Sequence, residues 1–421
     1  MRELIIHWLR KSERYTKTDM TYLVGQGGWL LIGQGAIFVS SLLLAWVFAN
    51  FVSPSDYGLY KFVVAIATIA TITSLTGLGT AIARTAAQGH EINLSKLLKI
   101  QVRFGLIGSL GLFALATYYI FKENTLLASL FAVAAIWVPF YESLGGYQYL
   151  LQGKKAFKLQ TYLRLIQRLI LSISLVLVIF YTKNIVLITL AYFALLTLSQ
   201  YMVYKYATKK YPAHDDSNTP YSNIVAYGKH LSFQNVFFIG AAQLDKILMF
   251  KFLGPTQLAI YFFAIALPNE IQGVLGNINS VAFPKLVDQT SRAFKFALLK
   301  KIGLFTALLT IPALGYIFMA PYLFNWLFPV YTDAIYLSQL YIGTILFIPA
   351  SLLWHYFYAT EDKAALWFGT FMGPGILILG IIVFVPLYGL LGAIIATYVR
   401  SIIDLVSGLY FFLRKPEKSL T

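Results

Sequence analysis

Long apolar stretches separated by short polar breaks run the whole length of the chain. They cover 24–52, 57–83, 98–121, 126–151, 158–181, 184–206, 229–252, 258–283, 302–324, 335–358, 365–386 and 389–413. The hydrocarbon core of a bilayer is about 30 Å thick and is crossed by about 20 apolar helical residues. The pattern therefore predicts an all-α integral membrane protein of twelve transmembrane helices. Ser53-Pro54-Ser55-Asp56, Lys122-Glu123-Asn124, Gly254-Pro255-Thr256 and Pro386-Leu387-Tyr388-Gly389 mark breaks between the stretches. Each ends a helix through proline, glycine or polar side chains.

The pattern also repeats. Residues 51–66 align without a gap on 252–267, so that Phe51, Pro54, Tyr60, Phe62 and Ala65 recur as Phe252, Pro255, Tyr261, Phe263 and Ala266. The same offset lays Arg84 on Lys285, and a second patch, 147–154, lies over 356–363. Two halves of six helices keep one orientation, which gives parallel repeats related by an axis along the membrane normal, with a site expected between them near mid-membrane. The predicted units are a bundle over 1–206 with a cytoplasmic N-terminal segment, a cytoplasmic linker over 207–228 and a second bundle over 229–421 with a short tail.

Composition agrees with a membrane protein. Of 421 residues, 58% are hydrophobic and 12% charged, against roughly 25% charged in soluble proteins. The net charge of +16 could suggest nucleic acid, but position gives another account. All but six of the 33 lysines and arginines fall at or near one side of the membrane if the N-terminus is inside; the six are Lys61, Lys122, Lys183, Lys246, Lys251 and Arg400. Cytoplasmic loops accumulate such residues, so both termini are expected in the cytoplasm, with anionic membrane lipids rather than nucleic acid as partners. Met1–Asp19 is charged and lacks a cleavage site, unlike a signal peptide. The sequence has no cysteine, and its five histidines are scattered singly, so thiol chemistry is excluded and a metal centre is not expected.

Charged side chains inside the bilayer cost at least about 2.5–3.5 kcal/mol and normally face a bundle interior or pathway. In the fifth span Gln160, Arg164, Gln167 and Arg168 make one helical stripe, and guanidinium groups suit phosphate geometry. The alternative is that these arginines reach the inner headgroups. Arg400 and Asp404 stand four apart in the last span, as a buried pair or as site residues. Asp245 and Lys246 lie mid-span as neighbours expected to point to different sides, at least one of them into the cavity. Glu142 and Glu270 are further carboxylates, either for H+ or Na+ coupling or for structure. Arg84 and Arg103, at the inner mouth, fit substrate capture or plain topology. The glycines between Gly25 and Gly35 fit close helix packing or a hinge. Gly77-Leu78-Gly79 lies deep in an apolar stretch and is no nucleotide signature.

The turn Ser53–Tyr60, the segments Gly77–Arg84 and Leu151–Lys154, and Tyr388–Ala396 together resemble the polysaccharide-unit flippases, the Wzx-type oligosaccharide transporters of the superfamily that also holds multidrug extruders and lipid II flippases. The resemblance implies a V-shaped, MATE-like pair of bundles in the inner membrane. By alternating access these would move a polyprenyl-diphosphate-linked oligosaccharide for surface polysaccharide synthesis, O-antigen among them, without a cofactor. Polysaccharide polymerase and glycosyltransferases would be its partners. The resemblance carries no catalytic residue. A cation-coupled drug or metabolite exporter of the same fold would rest instead on Glu142, Asp245 and Glu270. A membrane glycosyltransferase would need acidic residues in sizeable outer loops, where this chain offers little beyond Asp56, Glu123 and Asp333.

Overall fold

The computed structural model describes residues 20–212, 221–282, 292–360 and 362–414, with the side chains of 20–34, 36, 274–282, 292–294 and 359 left aside. The basic N-terminal segment, the middle of the linker, Lys285 and the C-terminal tail lie outside the described residues. The helices are α1 (Met20–Phe51), α2 (Pro54–Ala70), α3 (Leu78–Ala87), α4 (Leu94–Phe121), α5 (Thr125–Ser143), α6 (Gly146–Gly153) and α7 (Phe157–Tyr181). They continue with α8 (Ile185–Lys210), α9 (Tyr221–Ala282), α10 (Arg292–Leu327), α11 (Ala334–Ile342), α12 (Ser351–Ala359), α13 (Lys363–Tyr388) and α14 (Leu390–Arg414). Among the described residues nine segments are long and apolar enough to cross a membrane. Helix α1 and the two limbs of α9, which bends at Gly254, complete the twelve passes in two six-pass halves.

Local chemistry sets the ends. Ser53 caps α2 by accepting from the Asp56 amide at 3.1 Å, ahead of Pro54 at the first helical position. Asn124 and Asn184 cap α5 and α8 in the same way. A side-chain oxygen placed there satisfies an amide that the helix leaves free. At Gly254 the backbone takes φ 83 and ψ 179, a conformation that costs glycine alone little.

Three passes expected to be continuous are broken. The second divides at a 3-10 turn, Thr71–Ser74, followed by Leu75 in the left-handed region. The fourth divides between α5 and α6, and the tenth passes through a 3-10 stretch, Gly343–Ala350. Broken backbone survives at membrane depth where protein groups take up the freed amides and carbonyls. At the first break Gln101 donates to the Ser74 carbonyl at 3.3 Å, and the Gly108 amide donates to Thr73 Oγ1 at 3.1 Å. Gly105 and Gly108 on α4 leave the room; a Cβ on Gly108 would overlap the Ala70 carbonyl oxygen. Periodicity of apolar residues does not register such breaks, because none of their residues is charged and the stretches on either side are apolar.

The halves meet most extensively where α2 and the second limb of α9 begin. A Cβ on Gly58 would overlap the carbonyl of Pro255, so the two repeated proline turns lie backbone against side. Around them Phe62 stacks on Phe250 at 3.7 Å, Tyr57 meets Phe263 at 5.0 Å and Phe263 meets Tyr331 at 4.0 Å. One apolar core spans both halves at this end. At the opposite, basic end the first half has its own core around Leu78, Tyr147 and Leu151, joined by Ile224 from the start of α9. The second half has another around Leu353, Tyr356 and Phe412. The halves touch there through α9 alone among the described packing contacts: Ser232 accepts from the Gly77 amide at 3.0 Å, and Asn235 donates to Thr76 at 3.1 Å.

Candidate functional site: a charged cavity between the halves

Between the proline seal and the Gly77–Ser232 contact lies a cavity of about 680 Å3, lined from α1, α2 and α7 of the first half and from α9, α11, α13 and α14 of the second. Four cations reach it: Lys61, Arg168, Lys246 and Arg400, together with the carboxylates Asp245 and Glu270. At 1.5 Å per residue, Lys61 lies about 10 Å along its helix from the sealed end, Lys246 about 12 Å, Arg400 about 15 Å and Arg168 about 20 Å. All four thus fall well inside a core about 30 Å thick, and Arg168 and Lys246 are both charge neighbours of Lys61.

Each cation is held differently. Arg168 donates through Nη2 to Ser41 Oγ on α1 at 2.9 Å, while its Nε is buried without a partner among the described residues. Glu270, from the opposite half, has Ser41 and Arg168 as its polar neighbours. Lys246 lies 3.5 Å from Asp245 and donates to the Ala242 carbonyl at 2.6 Å. Arg400 pairs with Asp404 at 3.5 Å, against Gly373 of α13. Lys61 has no carboxylate within ion-pair distance among the described residues. Its ammonium sits instead over the rings of Phe262 at 4.9 Å, Tyr57 at 5.2 Å and Tyr60 at 5.7 Å. Tyr261, Tyr341 and Asn269 add hydrogen-bonding groups to the wall.

The cavity brings together Arg168, Lys246, Arg400, Asp245 and Glu270 from the residues singled out in the sequence. Asp245 and Lys246 do not diverge as their adjacency predicts: both face the cavity, because the long lysine stem folds back onto the neighbouring carboxylate. The fifth-span stripe is divided. Gln167 is buried and accepts from the Tyr147 hydroxyl at 2.9 Å, and Gln160 donates to the Gln148 carbonyl. Arg164 is exposed and lies outside the cavity lining, with Tyr147 and Tyr149 as neighbours in the first half. Glu142 is likewise outside the lining. Asp404 stands one turn beyond it, behind Arg400. Arg84 is exposed at the basic end with its guanidinium over Tyr227, and Arg103 is exposed there too. At Gly35 an added Cβ would meet nothing within 4 Å, so close packing does not explain that glycine.

Sequence reasoning passed over Lys61 and Ser41. Lys61 follows the Pro54 turn so closely that it reads as an outer-face residue. The internal repeat held a signal, since it lays Lys61 on Phe262, and equivalent positions face one another across a two-fold axis.

The fold has solved counterparts. A lipid II flippase, MurJ, in an inward closed conformation superposes with a TM-score of 0.70 at 14% identity, covering 91% of this chain and 87% of that one. An inward-facing multidrug resistance MATE family transporter of the MOP superfamily gives 0.58 at 14% identity, covering 90% and 94%. The MATE multidrug transporter DinF-BH gives 0.58 at 12% identity, covering 91% and 93%. No curated protein sequence matches the chain. A family model described as polysaccharide biosynthesis protein matches residues 23–289, well over half the length and both walls of the cavity as far as Glu270. The chain belongs to the polysaccharide biosynthesis protein family.

Proposed function

We propose that the protein carries a polyprenyl-diphosphate-linked oligosaccharide from the inner to the outer leaflet of the cytoplasmic membrane by alternating access. The observation that carries this reading is the cluster of four cations in a cavity between the two halves. A diphosphate brings negative charge into a region where unpaired charge is expensive, and guanidinium and ammonium groups compensate it by charge-assisted hydrogen bonds. The sugar would occupy the polar wall while the polyprenyl tail stays in lipid. The likeness to a lipid II flippase, itself named for a lipid-linked cargo, supports the same reading. The accumulation of lysine and arginine at the basic end supports a cytoplasmic position for that end and both termini, which makes the proline seal the outer gate in this reading. Polysaccharide polymerase and glycosyltransferases are the natural neighbours of such a carrier.

Asp245 and Glu270 keep a second reading in view, a cation-coupled drug or metabolite exporter. Against it, each of these carboxylates already faces a cation of the protein, whereas a cavity built for cationic drugs would leave them free. In a flippase they are the groups to test for H+ or Na+ coupling.

The decisive experiment uses purified protein in vesicles and a fluorescent lipid-diphosphate-linked sugar. Arg168→Ala, inserted at normal levels, is expected to abolish headgroup translocation, while Arg164→Ala retains at least half. Wild-type flipping by Arg168→Ala would sink the reading. Drug efflux that survives Arg168→Ala and is lost in Glu270→Gln would favour the exporter.

A further inference from the structure

Lys61 is the outermost cation of the cavity and differs from the other three in what holds it. Lys246 and Arg400 each have a carboxylate at 3.5 Å, and Arg168 has Glu270 beside it. Among the described residues the Lys61 ammonium is held by ring faces, two from its own helix and one, Phe262, from the opposite half. Phe262 is the residue that the repeat lays on Lys61, and both stand immediately inside the contact of Gly58 with Pro255. A cation of the first half is thus bound to the second half at the edge of the seal.

We propose that Lys61 is both the last anchor for the anionic headgroup and the latch of the outer gate. The inference rests on the flippase reading and deepens it. An anion held among Arg168, Lys246 and Lys61, which are charge neighbours, has Lys61 on the side of the aromatic seal. A ring attracts a cation through its quadrupole alone, which is weaker than a charge-assisted hydrogen bond to phosphate oxygen. The diphosphate therefore draws the ammonium off Phe262 and removes a contact that ties the halves together. A ligand can shift a conformational equilibrium only through differential affinity for the two states; here the difference is that Lys61 binds the ring in the closed state and the anion in the open one. The empty carrier keeps its outer gate shut, and the headgroup itself releases it.

The chain has no cysteine, so a spin-label pair at Tyr181→Cys and Leu387→Cys, one exposed position per half at the sealed end, reports the gate. The probes are farnesyl diphosphate, inorganic pyrophosphate and farnesol, with the protein in nanodiscs. Farnesyl diphosphate is expected to bind the wild type and lengthen the label distance, pyrophosphate to compete with it, and farnesol to do neither. In Lys61→Gln, binding should weaken at least tenfold and the label distance should be long even without ligand, because the latch is lost with the charge; Lys61→Arg should restore both. Phe262→Leu should retain binding but show the long distance without ligand. Binding by Lys61→Gln within twofold of wild type overturns the anchor. A closed gate in ligand-free Phe262→Leu overturns the latch. If the wild type binds no farnesyl diphosphate, the flippase reading falls and takes this inference with it, an outcome distinct from a wild type that binds and a Lys61→Gln variant that binds equally well.

Discussion

Gln167 and Arg168 are neighbours on one helix and serve different ends. Gln167 is enclosed by the first bundle, with its amide oxygen accepting a hydrogen bond from the Tyr147 hydroxyl; Arg168 crosses to Ser41 and opens onto the cavity. Leaving a buried hydroxyl without its acceptor costs about 1–3 kcal/mol. Gln167→Leu should therefore lower the thermal midpoint in detergent by several degrees while the surviving protein translocates normally. Arg168→Ala should do the reverse, with little change in midpoint and loss of transport. Equal effects of the two substitutions on both measurements would contradict this division of roles. Asp404 belongs with the structural group, since it meets the guanidinium of Arg400 from behind the cavity wall.

At the level of helices, two glycine contacts bracket the cavity, and each allows one part of the chain to approach another closely. Gly58 admits the Pro255 carbonyl at the sealed end, and Gly77 admits the backbone of Ser232 at the basic end. In a bilayer, where lipid is as apolar as leucine, such close packing at small residues holds helices together. Gly58→Val should wedge the sealed end open and Gly77→Val the basic end. Thiol-reactive probes at single cysteines replacing Phe48 and Ala242, both lining the cavity, can read the direction. Gly58→Val is expected to raise labelling by a membrane-impermeant reagent from outside several-fold. Gly77→Val is expected to lower outside labelling and raise it from inside. Matching changes in the two variants would show that these contacts are not opposed gates. The broken second pass contributes to the same device, because its 3-10 turn, held by Gln101 and Gly108, presents Gly77 to α9.

For the whole molecule, the distribution of charge predicts an orientation that labelling can check. A cysteine at Lys154 should react with an impermeant maleimide only after cells are permeabilised, and one at Tyr181 in intact cells; the opposite pattern would reverse the transport direction proposed here. Twelve passes, two parallel halves and the family were legible in the sequence. Membrane spanning demands long apolar helices whatever the tertiary arrangement, and the proline turns at Pro54 and Pro255 carried the repeat openly. The site was legible only in part. Arg168 and Arg400 stand out because charge is rare in such stretches, but the same rarity marked Arg164 and Glu142, which lie outside the cavity. A helix stripe says which residues share a face, not which neighbour that face meets. That is why tertiary packing alone could separate Gln167 from Arg168, fold Lys246 onto Asp245, and bring Lys61 across the axis to the ring of Phe262.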